Sequence, residues 1–122
     1  MSLILIVDDE ESVLLNLVAF IEDEGYEVIS ASDGEQALKI IDERKPDLGI
    51  MDMRLPGMDG NELIMKAHQL HGAMKYLVHT GSADYILPPE LVDIGLSEKN
   101  VFKKPVPDMA IFTQAIADML AE

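Results

Sequence analysis

Asp52 closes an apolar run, Leu48-Gly49-Ile50-Met51, and opens a turn, Met53-Arg54-Leu55-Pro56-Gly57-Met58-Asp59-Gly60. A carboxylate carried to the end of a buried strand, with a Pro/Gly loop behind it, sits where open α/β sheets do their chemistry. Three other runs end in the same way. Leu3-Ile4-Leu5-Ile6-Val7 delivers Asp8 and Asp9, Tyr76-Leu77-Val78-His79 delivers Thr80, and Asn100-Val101-Phe102-Lys103 delivers Lys104 ahead of Pro105. Acids, a hydroxyl and a cation thus arrive at strand ends of one kind, and these are the components of a phosphoryl and metal site.

Electrostatics narrows what such a cluster holds. Two carboxylates about 4 Å apart repel by roughly 4 kcal/mol at an effective dielectric of about 20, so three ionised acids need a cation or a raised pKa. Lys104 offsets one charge. The remainder suits Mg²⁺, a hard ion that takes one or two carboxylates, keeps waters and accepts phosphate oxygens. A carboxylate nucleophile beside Mg²⁺, a lysine and a hydroxyl can accept a phosphoryl group, because that transfer needs chiefly in-line positioning and charge neutralisation.

The elements that must position these groups alternate strand and helix. Glu10 to Glu24 is predicted as a helix with Val13, Leu14, Leu17, Val18 and Ile21 on one face, ended by Gly25. Strands follow at 27–31 and, continuously apolar as in a central parallel strand, at 47–51. Asp33 caps a helix to about Arg44, stopped by Pro46, and Asp59 begins another through about Gln69. Lys75–His79 and Val101–Lys103 read as the fourth and fifth strands, and Pro107 as the start of a last helix carrying Met109, Phe112, Ile116 and Leu120. Between them Pro88-Pro89 and Gly95 allow a helix of about two turns at most, short and displaced, with 96–99 as loop. The alternation implies a doubly wound parallel sheet with right-handed crossovers, whose strand C-termini share one edge.

The 122 residues form one domain over 1–122, and no apolar run approaches the roughly 20 residues of a membrane span. The absence of cysteine removes disulfides and thiolate metal sites, and with no signal peptide the expected location is cytoplasmic. A net charge of −14 opposes direct contact with nucleic acid or an anionic membrane and favours divalent cations and basic partner patches. His79, next to Thr80, faces the opposite side of the sheet and is expected in the core, while His68 and His71 are expected at the surface.

Val7-Asp8-Asp9-Glu10, the Met51–Gly60 stretch, His79-Thr80-Gly81 and Lys104-Pro105, in this order over the whole chain, resemble the receiver domain of two-component response regulators. The resemblance implies a flavodoxin-like doubly wound sheet of five parallel strands in order 2-1-3-4-5 with about five helices. It makes Asp52 the phosphoacceptor, charged by a sensor histidine kinase or phosphotransfer protein. Asp8, Asp9, Asp52 and the backbone carbonyl of Arg54 then hold Mg²⁺, Thr80 bonds the phosphoryl oxygen, Lys104 pairs with the acyl phosphate, and a cis peptide at Pro105 aims the lysine. Ser82, two residues beyond Thr80, joins the site residues. By this resemblance the chain catalyses only its own phosphorylation and dephosphorylation, and signals to a downstream effector domain or protein.

Two features depart from the family. Most receivers carry Tyr or Phe three residues before the lysine, where this sequence has Val101, and the stretch from Thr80 to Lys104 is longer than usual. Phe102 is adjacent, but strand alternation turns it to the other face. Among alternatives, a phosphatase of the haloacid dehalogenase type wants a second acid two residues after the nucleophile, where Arg54 stands. A flavodoxin-type cofactor carrier wants a Gly/Ser/Thr phosphate loop where this chain has Asp8-Asp9-Glu10-Glu11. A pseudo-receiver that only binds partners, without phosphorylation, is the third.

Overall fold

A computed structural model describes residues 2–121. Five parallel strands, β1 (Leu3–Val7), β2 (Glu27–Ala31), β3 (Leu48–Met51), β4 (Lys75–Thr80) and β5 (Val101–Lys103), lie in the order β2-β1-β3-β4-β5. Between and after them run α1 (Glu11–Asp23), α2 (Gly34–Arg44), α3 (Gly60–Leu70), α4 (Pro89–Asp93) and α5 (Ala110–Leu120). This is the expected doubly wound sheet.

Burial explains which strands are inside. Every residue of β1 and β3 is buried, as a strand covered by helices on both faces must be, whereas the edge strands β2 and β5 are only partly covered. Alternation then divides the core. Leu5, Val7, Met51 and Val78 pack with Ala37, Ile41, Leu63 and Ile64 under α2 and α3. Ile4, Ile6, Ile50 and Leu77 pack with Leu14, Leu17, Ile21, Phe112 and Ile116 under α1 and α5. Phe112 is wholly buried, its ring 4.9 Å from that of His79 and 5.2 Å from that of Phe102, and such burial stabilises by roughly 1.5–3 kcal/mol.

Local signals place the helices within a residue or two of expectation. The Asp33 carboxylate accepts the Gln36 N–H (2.8 Å) and the Asp59 carboxylate accepts the Glu62 N–H (2.8 Å), each satisfying a donor left open at a helix start. Gly25, at φ +96°, takes the left-handed turn after α1. α4 is five residues long, opened by Pro89 and followed by Gly95 at φ +111°, in keeping with the Pro and Gly signals.

Two boundaries differ. The last helix begins at Ala110 rather than Pro107: Met109 is its N-cap without a side-chain bond, and the Asp108 carboxylate just ahead of it accepts the Ala110 N–H (2.9 Å) in a local turn. Part of the 96–99 stretch enters a 3₁₀ turn over Glu98–Asn100, held by reciprocal bonds between Ser97 and Asn100; the Asn100 amide donates to the Tyr76 carbonyl (2.7 Å).

Gly60 brings α3 against the strand end that carries Asp52. Its N–H donates to the Met53 carbonyl (3.0 Å), and a Cβ there would lie 2.8 Å from Met53 Cα and run into the Asp52 carbonyl. Gly60→Ala is therefore expected to destabilise the fold by about 1–3 kcal/mol, an overpacking cost. An unchanged urea midpoint would show that the backbone yields without cost.

Candidate functional site

Parallel pairing continues one step past three strand ends and so fixes the backbones of the polar groups. The Asp8 N–H donates to the Ala31 carbonyl (3.2 Å), the Asp52 N–H to the Val7 carbonyl (2.9 Å) and the Lys104 N–H to the Thr80 carbonyl (2.7 Å). Asp8, Asp52 and Thr80 are buried at 1%, 4% and 0% exposure, while Asp9 is open to solvent.

The three acids converge. One carboxylate oxygen each from Asp8, Asp9 and Asp52 lies within 4.8 Å of the others, an arrangement that could hold a metal ion. The Lys104 ammonium donates to Asp8 Oδ2 at 2.9 Å and Glu10 Oε1 at 3.3 Å, and stands 3.7 Å from Asp52 Oδ2. The other Asp8 oxygen accepts the Glu10 N–H (2.9 Å), so Asp8 is held on both sides. Arg54 enters through its backbone, its N–H directed at Asp52 Oδ1 over 3.4 Å.

Burial pushes the Asp52 carboxyl up to about 6; Asp8 adds to the rise, Lys104 and the Arg54 N–H oppose it, and Asp9 adds a smaller upward push. The Lys104 pKa is raised as well: burial favours loss of its proton, but the hydrogen bond to Asp8, the charges of Asp52 and Asp8 and the hydrogen bond to Glu10 outweigh it. The cluster thus keeps its cation charged while its central acid resists ionisation. A hard, oxygen-binding cation fits the donor set, because it would relieve the repulsion that Lys104 leaves.

The Thr80 hydroxyl bonds within its own loop, accepting the Ser82 N–H at 3.1 Å. The Lys104–Pro105 peptide is cis. Val101 lies on the α4 side beside Val78, and Phe102 turns to the opposite face against Phe112, as alternation predicts. His79 is a core residue; burial, reinforced by Lys104 and opposed by Asp8, pulls its pKa down to about 4, so it is neutral near pH 7. An open groove of about 520 Å³, lined by Glu10, Val13, Leu17, His79, Lys104 and Pro105, runs along the α1 side of the acids.

Two participants were not singled out from sequence, and a third had no role there. Glu10, the last residue of the Val7-Asp8-Asp9-Glu10 run and the predicted start of the first helix, is the second partner of Lys104. Lys103 reads as a strand terminus, yet its ammonium donates to the carbonyls of Ser82, Ala83 and Tyr85. Tyr85 donates to the Asn61 side chain on α3 (2.7 Å), a contact without a sequence signal.

The family model for the response regulator receiver domain matches residues 4–116. Sporulation initiation phosphotransferase F of Bacillus subtilis is 33% identical over 92 residues, which cover 75% of this chain and 74% of that protein. Alkaline phosphatase synthesis transcriptional regulatory protein PhoP of B. subtilis is 50% identical over 66 residues, covering 54% of this chain and 28% of the relative's length. The crystal structure of a CheY-like receiver domain protein from Methanospirillum hungatei JF-1 superposes with a TM-score of 0.86 at 32% identity, covering 99% of this chain and 94% of that one.

The raised Asp52 pKa makes a sign-specific prediction. The folded value, about 6, exceeds the ordinary 3.8. Between these pH values the native state therefore retains a proton that the unfolded state loses, and stability falls as pH rises. The penalty is complete above pH 6 and amounts to about 3 kcal/mol at 1.36 kcal/mol per pKa unit. In chelator at pH 8, Asp52→Asn is expected to melt several degrees above the wild type, with the gain fading toward pH 4 and reversed by a divalent cation. Equal melting temperatures at both pH values would remove the electrostatic account.

Proposed function

The chain belongs to the response regulator receiver domain family, and on that premise we propose that Asp52 is its phosphoacceptor, with residues 1–122 forming one signalling domain. The observation that carries the reading is the Asp52 carboxylate, nearly buried at a strand end, with two further acids and one ammonium gathered around it. The donor is the phosphohistidine of a sensor histidine kinase or phosphotransfer protein. An Asp52 oxygen bonds to phosphorus as the P–N bond breaks, and the imidazole leaves with the electron pair. Water later hydrolyses the acyl phosphate and restores the carboxylate.

Each neighbour has a part in this. Asp8, Asp9, Asp52 and the Arg54 carbonyl are the ligands for Mg²⁺, which when bound supplies neutralisation of charge on the phosphoryl oxygens. Lys104, already within 3.7 Å of Asp52, shifts its pairing from Asp8 and Glu10 toward the new oxygens. Thr80 offers its hydroxyl, and Ser82 steadies it through the backbone bond already present. The groove beside Lys104 gives a donor protein room to present its histidine.

The domain acts on itself alone, and its output is a change in partner binding. It works in the cytoplasm, where such phosphohistidine donors are made; no described helix is long and apolar enough to cross a membrane. Transcriptional regulatory protein GlrR of Escherichia coli is 31% identical, and the chain spans 26% of its length, which supports an effector domain or protein as the reader of the signal. Net charge −14 argues that this domain does not touch nucleic acid itself. A phosphatase of the haloacid dehalogenase type is not favoured, given the family match and Arg54 at the position of its second acid.

Incubation with acetyl phosphate and Mg²⁺, followed by intact mass measurement, is expected to add one phosphoryl group to the wild type and none to Asp52→Asn or to protein in chelator. Labelling that persists in Asp52→Asn would move the acceptor elsewhere. No labelling of the wild type would favour a pseudo-receiver.

A further inference from the structure

Lys103 and Lys104 are consecutive, and the structure sends them to different tasks. Lys104 meets the acids. Lys103, paired in register with Thr80 on β4, turns to the loop that follows Thr80. Its ammonium donates to the carbonyls of Ser82 (3.1 Å), Ala83 (3.2 Å) and Tyr85 (3.0 Å) and lies 5.7 Å from the centre of the Tyr85 ring. An ammonium has three N–H donors, and here all three close on one stretch of backbone.

The same stretch is anchored at two further points. The Tyr85 hydroxyl donates to Asn61 Oδ1 at 2.7 Å, tying the loop to the first turn of α3, and the Ser82 N–H donates to the Thr80 hydroxyl. Tyr85 also packs on the core cluster that takes Val101, where the short side chain supplies no ring. The loop after Thr80 is thus held from β5, from α3 and from Thr80 itself.

We propose that Lys103 and Tyr85 form a latch that holds the loop over residues 81–85 in its resting conformation, and that phosphorylation has to open it. The inference rests on Asp52 being the phosphoacceptor. Drawing the Thr80 hydroxyl onto a phosphoryl oxygen pulls Gly81 and Ser82 with it, and the Lys103 bonds oppose that movement. Opening frees Tyr85 from Asn61, so the signal leaves through an aromatic residue on the β4–α4 loop. Lys103 and Tyr85 are positioning residues, acting on the reaction through Thr80.

Lys103→Met removes the ammonium and keeps most of the stem; Tyr85→Phe removes only the hydroxyl. In the unphosphorylated protein, hydrogen exchange across residues 82–86 is expected to quicken about fivefold in Lys103→Met, roughly 1 kcal/mol at 1.4 kcal/mol per tenfold, and to a lesser degree in Tyr85→Phe. Labelling of Asp52 at saturating acetyl phosphate should also become faster in both, with half-saturation unchanged. A merely structural role would slow labelling or leave it alone. The exchange difference between wild type and Lys103→Met should vanish once both are phosphorylated, because the latch is then open in each. Unchanged exchange in the resting variants, slower labelling, or a difference that survives phosphorylation overturns the proposal. Should the wild type take up no phosphoryl group, the acceptor assignment fails on its own, and resting-state exchange still decides whether Lys103 holds the loop.

Discussion

Three carboxylates are held close together against their mutual repulsion, and the rest of the structure is arranged around keeping them there. The parallel sheet supplies the constraint. Backbone bonds from Asp8 to Ala31 and from Asp52 to Val7 extend the ladder past the strand ends, so neither acid can retreat without breaking a buried hydrogen bond. Lys104 is the near neutraliser, and it is shared among Asp8, Glu10 and Asp52. Burial, with the charge of Asp8 behind it, raises the Asp52 pKa, and the surplus negative charge leaves the site open to a cation.

The two faces of the sheet divide the remaining work. On the α1/α5 side, His79, Phe102 and Phe112 form an aromatic contact, and burial keeps the imidazole neutral, so no competing cation stands next to Lys104. On the α4 side, small and branched residues, Val78 and Val101, leave the loop after Thr80 to be fixed by polar contacts to Lys103 and Asn61. Both faces carry a packed apolar core, but on the α4 side the loop after Thr80 is held in addition by hydrogen bonds, and hydrogen-bonded loops are the part of a fold that opens most readily.

Much of this was legible in the sequence, for a physical reason. Asp8, Asp9, Asp52 and Lys104 follow apolar runs too short for helices, and a parallel sheet brings such positions to one edge whatever their separation along the chain. The short α4 was legible too, because Pro89 and Gly95 act locally. The start of α5 was not, since Pro107 and Asp108 both carry start signals and the helix opens beyond both, at Ala110. Lys103 and Tyr85 escaped notice because their partners are backbone carbonyls and a side chain on another helix, which no local pattern encodes. Alternation alone places Lys103 on the face of Thr80, and that was the available clue.

β5 is three residues long and pairs on one side only, with β4. Because side chains alternate along a strand, a slip of one residue would exchange the faces of Lys103 and Lys104. What pins it lies just upstream and within: the Asn100 amide on the Tyr76 carbonyl (2.7 Å) and the Phe102 ring against Phe112. Asn100 therefore works as a registration peg at the start of β5, deciding which ammonium meets the acids at its other end. An insertion or deletion of one codon between Asn100 and Lys103 would rewire the charges of the whole edge, whereas the same change at exposed Ile86, outside β5, would leave the faces of Lys103 and Lys104 as they are.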